Sequence, residues 1–390
     1  MRILLGADTF APDVNGAARF AERLATGLAG RGHEVHVAAP SPDGPSAVHR
    51  FGLDGQVDGD VTVHRVRSHR YPLHENFRVC LPWVAGPAAA TVLAEVDPDV
   101  VHVQAHFSVG RGLAAAASAT GVPLVATNHF MPENLVAHAR VPGALHRLAA
   151  RLAWHDVRRV LGRADALTAP TPRAVDLLTR STGLPATAIS CGVDAARYAG
   201  GREDPTPTVL FVGRLDQEKR VDELLRATAR LTAPVRLEIV GDGAERGAWQ
   251  RLAAELGLGD RVVFHGFVDE ETLLAAYRRC AVFCMPGVAE LQSLVTLEAM
   301  AAGKPVVAAD AMALPHLVRP GRTGWLFPPG DVDVLASVLA ALLGDPAARR
   351  RMGAAARELV AGHALEATLD AFEELYGRVA ARSAAPALAA

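Results

Sequence analysis

Short apolar runs alternate along this chain with longer segments in which apolar residues recur every three to four positions. The short runs predict strands at 2–6, 34–39, 62–66, 100–104, 123–127 and 166–169. In the second half they fall at 208–212, 236–240, 262–265, 281–284, 305–308 and 325–327. Helical periodicity fills about 16–31, 82–95, 110–120, 144–162 and 172–182, then 221–231, 244–257, 270–277, 293–302, 331–343, 346–361 and 365–380. Strands alternating with helices predict an α/β protein with parallel sheets. The pattern lapses at Tyr198–Pro207, where two glycines, charges and two prolines read as a linker. Two doubly wound, Rossmann-like domains facing a central cleft follow, over 1–197 and 208–364. Their ligands are expected beyond the carboxyl ends of the strands. The alanine-rich tail Ala380–Ala390 is expected to fray.

Composition narrows the partners. Of the 390 residues half are hydrophobic, enough for two full cores, and the net charge of −2 predicts no general affinity for nucleic acid. Only Lys219 and Lys304 are lysines. Cys80, Cys191, Cys280 and Cys284 show no metal-binding spacing, and Cys280 and Cys284 sit in an apolar stretch. The chain opens directly on a strand and holds no run of about 18 apolar residues, so a reduced cytosol is the expected compartment.

The richest stretch is 286–310. Glu290 follows a Pro-Gly turn, and Glu298 lies about two turns along an alanine-rich helix. Two such carboxylates can grip one extended, hydroxyl-rich ligand at two points. Backbone N–H groups of Ser293, Leu294 and Val295 at the helix start offer an anion site. Surface acids, or a cap in the case of Glu290, are the plain alternatives. Upstream, Gly213-Arg214-Leu215-Asp216-Gln217-Glu218-Lys219 follows a strand. Arg214 and Lys219 there suit the two phosphates of a diphosphate, unless the cluster is merely solvated charge. Gly241, in Val240-Gly241-Asp242-Gly243, lacks the acid of a nicotinamide site. It reads as a nucleotide pocket with Phe267 and Val268 near the base.

In the first half, Gly16 opens a helix after Asn15 and would let backbone approach a ligand. His102, His106 and His129 stand at strand ends, and alternation puts His102, Gln104 and His106 on one face. Asp-x-Asp at Asp58–Asp60, Asp97–Asp99 and Asp331–Asp333 reads as turns and caps, and no metal is assigned. The stretch His138–Arg163 carries six arginines against Asp156 alone. Leu145, Leu148 and Leu152 share one face, and Trp154, Val157 and Leu161 lie beside it. It suits an anionic membrane surface or simple packing on its own domain.

Glu290-x7-Glu298, continuing into Ala-Met-Ala-Ala-Gly-Lys-Pro-Val-Val and preceded by Gly213-Arg214-Leu215 and Lys219, resembles the retaining glycosyltransferases of family 4, which have the GT-B fold. The resemblance spans nearly the whole chain. It implies an acceptor-binding first domain, a nucleotide-sugar-binding second domain, and a last helix, within 365–390, that returns to the first. It implies that Arg214 and Lys219 hold the diphosphate, Glu298 the ribose and Glu290 the transferred sugar. Gly16 would approach the phosphates and His129 would face the reacting sugar. Asn15, His106 and Asn128 would join His129 at the acceptor. No bound metal or other cofactor is implied, the nucleotide sugar being a co-substrate. Two departures stand out: the loop glycine, usually doubled, is single, and Leu291-Gln292-Ser293 replaces the usual aromatic-Gly. With Asn-His-Phe-Met-Pro-Glu-Asn at 128–134, this version is similar to diacylglycerol glucosyltransferases and glycolipid mannosyltransferases.

The expected reaction is transfer of a hexose from a UDP- or GDP-sugar to a hydroxyl, on a membrane glycolipid or diacylglycerol. The enzyme would then be peripheral on the inner face of the membrane. A small soluble acceptor, such as an aminocyclitol or a sugar, is an alternative. So are an epimerase and a non-catalytic nucleotide-sugar-binding protein.

Overall fold

A computed structural model describes residues 1–52, 59–70, 78–132, 145–232 and 234–384. The chain divides into two units, one made of Met1–Ser190 with Thr368–Ala390, the other of Cys191–Ala367.

The first unit is built on β1 (Arg2–Gly6), β2 (Glu34–Pro40), β3 (Ala47–Phe51), β4 (Val61–Val66), β5 (His69–Arg70), β6 (Arg78–Val79), β7 (Val100–Val103), β8 (Leu124–Thr127), β9 (Ala166–Ala169) and β10 (Thr187–Ala188). Eight of these form one sheet in the order β10-β9-β8-β7-β1-β2-β4-β3, and β5 pairs with β6 apart from it. Every pairing in the large sheet is parallel except β3 with β4. Buried parallel strands need apolar residues on both faces, and Ile3, Leu4, Leu5, Val100, Val101 and Val103 supply them. Helices α1 (Gly16–Gly30), α2 (Pro82–Val96), α3 (Ser108–Thr120), α4 (His146–Leu161) and α5 (Pro172–Thr182) connect the strands. Because β2 and β7 flank β1, the chain switches direction across the sheet at β1 and β7. There Asp8 accepts the backbone N–H groups of Val109 at 2.8 Å and Gly110 at 3.3 Å. It thereby caps the start of α3. Burial pushes its carboxyl up to about 6.

The second unit holds α6 (Ala195–Tyr198), β11 (Thr208–Val212), α7 (Val221–Ala229), β12 (Arg236–Val240), α8 (Arg246–Glu255), β13 (Val262–Gly266), α9 (Glu270–Arg279), β14 (Val282–Met285), α10 (Leu294–Ala301), β15 (Val306–Ala309), α11 (Leu314–Leu317), β16 (Gly324–Phe327), α12 (Val332–Gly344) and α13 (Pro346–Ala361). Its six strands run parallel in the order β13-β12-β11-β14-β15-β16, which puts the switch between β11 and β14.

Three expectations change. The stretch 198–207 packs as part of the second unit. Tyr198 is buried with its ring 5.6 Å from that of Tyr277, and Glu203 accepts a 2.8 Å bond from buried Arg349. The division therefore falls at Ser190/Cys191. Strand β3 was not foreseen. It joins the sheet edge antiparallel and is exposed along most of its length. The tail is helical further than expected, because α14 (Leu365–Ala384) continues past 380. Residues 385–390, like 133–144, which include the start of the basic stretch, and Asp58, lie outside the described residues.

Most of α14 belongs to the first unit. Phe372 and Tyr376 are buried. Arg31 binds Asp370 at 2.7 Å and Glu373 at 2.6 Å.

Candidate active site

In the second unit the loops leaving β11 and β14 meet at the switch point. Gly213 (φ 156°) and Gly241 (φ 126°) take backbone conformations that side chains disfavour. A Cβ on Gly241 would stand 2.0 Å from the Gly213 carbonyl oxygen, so glycine alone lets the β12–α8 turn lie against this loop. Lys219 ends a short 3-10 turn, Gln217–Lys219, and its Nζ donates to the Glu290 carboxylate from the β14 loop. Both side chains are largely buried. Arg214 follows Gly213 in the same loop. It is bound to Asp216 at 2.8 Å and Glu218 at 3.3 Å, so its fork is already engaged by two acids rather than open as expected.

Helix α10 begins at Leu294, one residue later than expected. Ser293 occupies the cap position with φ 72° and makes no side-chain cap bond. Its hydroxyl instead pairs with Thr296 Oγ1 at 2.8 Å. Glu290 does not cap either, since its carboxylate goes to Lys219. The N–H groups of Leu294 and Val295 in the first turn have no intrahelical acceptor, the arrangement that receives phosphate. Further along, buried Glu298 accepts the Tyr277 hydroxyl at 3.0 Å. Burial and that carboxylate hold the Tyr277 phenol well above its usual range. At the end of β13, Phe267 is 55 % exposed and Val268 packs on the core. The structure thus gathers Gly213, Lys219, Glu290 and the α10 start, with Arg214 held beside them by acids.

In the first unit, Asn15 caps α1, accepting from Ala18 N at 3.0 Å and Thr9 Oγ1 at 3.3 Å. Gly16 is the first helical residue. Asn128 folds back on its own loop, donating to the Phe130 carbonyl at 2.9 Å. Both amide side chains expected at the acceptor therefore shape backbone. His129 Nε2 sits 3.0 Å from Gln104 Oε1, an acceptor, so Nε2 carries the proton, and its ring lies 4.9 Å from Phe20. Desolvation pushes its pKa down to about 4, leaving a neutral imidazole at pH 7.

His106 parts from the expected face. Strand β7 ends at Val103, alternation stops there, and His106 turns to stack on Phe107 and Phe130 at 4.3 and 4.7 Å. Its Nδ1 is buried without a partner among the described residues. His102 enters a chain instead. Nδ1 lies 2.6 Å from the Tyr376 hydroxyl and Nε2 lies 2.7 Å from Thr127 Oγ1, which pairs with Thr168 at 2.7 Å. A neutral His102 satisfies every donor if the bonds run from Tyr376 through His102 and Thr127 to Thr168. Nothing in the sequence signals Tyr277 or Tyr376, and alternation places Gln104 only on a face shared with His102 and His106. A lone tyrosine in an amphipathic helix carries no local signal of its distant partner.

Comparison with known proteins decides the family. The family described as Glycosyltransferase Family 4 matches residues 14–197, and that described as Glycosyl transferases group 1 matches residues 194–359. A GDP-mannose-dependent alpha-mannosyltransferase of Mycolicibacterium smegmatis is 34 % identical over 98 % of this chain and 100 % of its own length. The chain belongs to glycosyltransferase family 4. An MMP alpha-(1->4)-mannosyltransferase of Mycolicibacterium hassiacum is 31 % identical, over 98 % of this glycosyltransferase and 100 % of its relative. Among solved structures, the sucrose-phosphate synthase of Thermosynechococcus elongatus superposes with a TM-score of 0.82 at 24 % identity, covering 98 % of this chain and 100 % of the other. Anabaena HepE in complex with UDP and glucose gives 0.74 at 20 %, covering 97 % and 100 %. The enzyme has the GT-B fold and moves a sugar from a nucleotide sugar.

Proposed function

We propose that the enzyme is a retaining mannosyltransferase that uses GDP-mannose, works without a bound metal and glycosylates a membrane lipid acceptor. The donor rests on the mannosyltransferases it resembles over its whole length. The chemistry rests on one observation above all: Lys219 joined to Glu290 at the β11–β14 switch point, beside the open start of α10.

The donor diphosphate binds over that helix start, with Lys219 and Arg214 as its counter-charges. Glu290 contacts the hexose and Glu298 the ribose hydroxyls, while Gly241 and Phe267 border the nucleoside. As the bond from the anomeric carbon to the diphosphate breaks, negative charge grows on the leaving oxygens. Preorganised cations and N–H dipoles stabilise it. The acceptor hydroxyl attacks from the same face, its proton passing to the departing phosphate oxygen, which retains the anomeric configuration. In the first unit, neutral His129 is assigned to the reacting sugar. Lys219→Ala should lower turnover by on the order of a hundredfold, measured as GDP release in the presence of acceptor. Wild-type turnover in that variant would sink the assignment. NMR of the product showing inverted configuration would remove retention, and loss of activity with a chelator would remove metal independence.

The lipid acceptor is supported by α4. Trp154, Val157, Val160 and Leu161 form its buried face, whereas Leu145, Leu148 and Leu152 are half or more exposed, at 50, 54 and 62 %. Arg147, Arg151, Arg158 and Arg159 are exposed on the same helix. Exposed leucines flanked by arginines fit an anionic membrane interface. No helix among the described residues is long and apolar enough to cross a membrane.

A further inference from the structure

The first unit carries a second opening on the edge of its sheet where ligands bind. The segments that follow β2 at Pro40 and β4 at Val66 line a cavity of about 750 Å³, a size that accepts a sugar or head group. Its walls hold Arg67, Arg70, Arg78 and His69 against a single acid, Asp43. Two features set these arginines apart, and a third holds one of them in place. Among the described residues none of the three forms an ion pair. Arg70 and Arg78 stand directly opposite each other in the β5–β6 register, where like charges repel. Arg78 is also fixed in place: its Nε donates to Ser68 Oγ at 2.7 Å and its Nη2 to the Ser68 carbonyl at 3.3 Å. Ser68 in turn is buried and donates to the Ser41 carbonyl at 2.5 Å. A held guanidinium whose Nη1 makes no hydrogen bond among the described residues, with two exposed arginines beside it, is a fork for a two-oxygen anion.

We propose that this cavity binds the anionic group of the acceptor, a phosphate or carboxylate carried on a polyol, sugar or lipid head group. Arg78 is the fixed contact, and Arg67 and Arg70 close on the anion. The inference rests on the reading of this unit as the acceptor carrier.

The test is titration of the full chain with sn-glycerol 3-phosphate, glucuronate and inorganic phosphate, with methyl α-glucoside as the neutral control. Binding is read by calorimetry in wild type, in Arg67→Ala/Arg70→Ala and in Arg78→Gln. At least one anion should bind saturably, and both variants should weaken it tenfold or more while GDP affinity stays within twofold. The preferred probe tells phosphate from carboxylate. Binding of phosphatidylglycerol vesicles but not of free glycerol phosphate, lost in the arginine variants and kept in Leu148→Asp, marks a lipid head group as the source. No saturable binding of any probe, free or in vesicles, overturns the proposal. So does affinity unchanged in the arginine variants, or affinity lost in Lys219→Ala, which would put the anion at the donor site. Anion binding at these arginines in a protein that transfers sugar to no acceptor would instead break the functional reading and leave the site standing.

Discussion

Lys219 and Glu290 show how much one residue depends on a distant one. The pair was legible in the sequence as two separate candidates, each at the carboxyl end of a strand. Their union was not, because 71 positions separate them and only the sheet order brings β11 beside β14. The same holds for Glu298 and Tyr277. Removing the phenol leaves a buried carboxylate with one donor fewer, a loss worth about 1–3 kcal/mol. Tyr277→Phe should therefore raise the donor KM by roughly tenfold with kcat little changed, in steady-state kinetics. A fall in kcat at unchanged KM would place Tyr277 at the reacting centre instead. Arg214 is a residue whose immediate partners the sequence hid. Asp216 and Glu218 looked like neighbours in sequence, yet the turn folds both carboxylates onto its guanidinium.

At the scale of elements, strands and helices were largely legible, since buried parallel strands read as plain apolar runs and helices as a 3.6-residue repeat. What escaped were the edges. Strand β3 is mostly exposed and His49 and Arg50 interrupt its apolar residues, so it gives no continuous apolar run. The stretch 198–207 has loop composition but is pinned by Tyr198 and Glu203. Two predictions belong here. Gly241→Ala forces a methyl to within 2.0 Å of the Gly213 carbonyl at φ 126°. It should destabilise the second unit by about 3 kcal/mol and abolish the GDP-induced thermal shift. A variant with wild-type melting and nucleotide response would show that the two loops separate freely. For α4, Leu148→Asp should cut sedimentation with anionic vesicles severalfold while leaving melting unchanged, because the side chain is exposed. Equal sedimentation would detach that helix from the membrane.

At the scale of the molecule, the first unit concentrates neutral histidines. Burial holds His102 near 3, and His106 and His129 near 4. Each binds a proton on unfolding at pH values between its native pKa and about 6.5. Their contribution is complete above pH 6.5 and lost as pH falls through 4 and then 3. Asp8 acts the other way, since its raised pKa of about 6 favours the native state as pH falls. Three groups outweigh one, and each tenfold change in proton affinity is worth at most about 1.4 kcal/mol. The urea midpoint of the first unit should drop markedly between pH 7 and pH 4.5, followed by a probe specific to that unit. A midpoint indifferent to pH over this range would contradict the burial of these rings.

The helix Leu365–Ala384 has a consequence for how the protein is made. It places Tyr376 on His102 and Phe372 beside Phe20, inside a unit whose sheet is complete by residue 188. A ribosome adding roughly 5–20 residues per second reaches Tyr376 roughly ten to forty seconds after that sheet is synthesised. During that interval the second unit is still being synthesised, its last residue Ala367 preceding Tyr376 by nine positions, and the first unit waits with an unfilled apolar seat. The first unit is thus encoded first and finished last. A nascent chain halted before Thr368 presents that bare seat to chaperones.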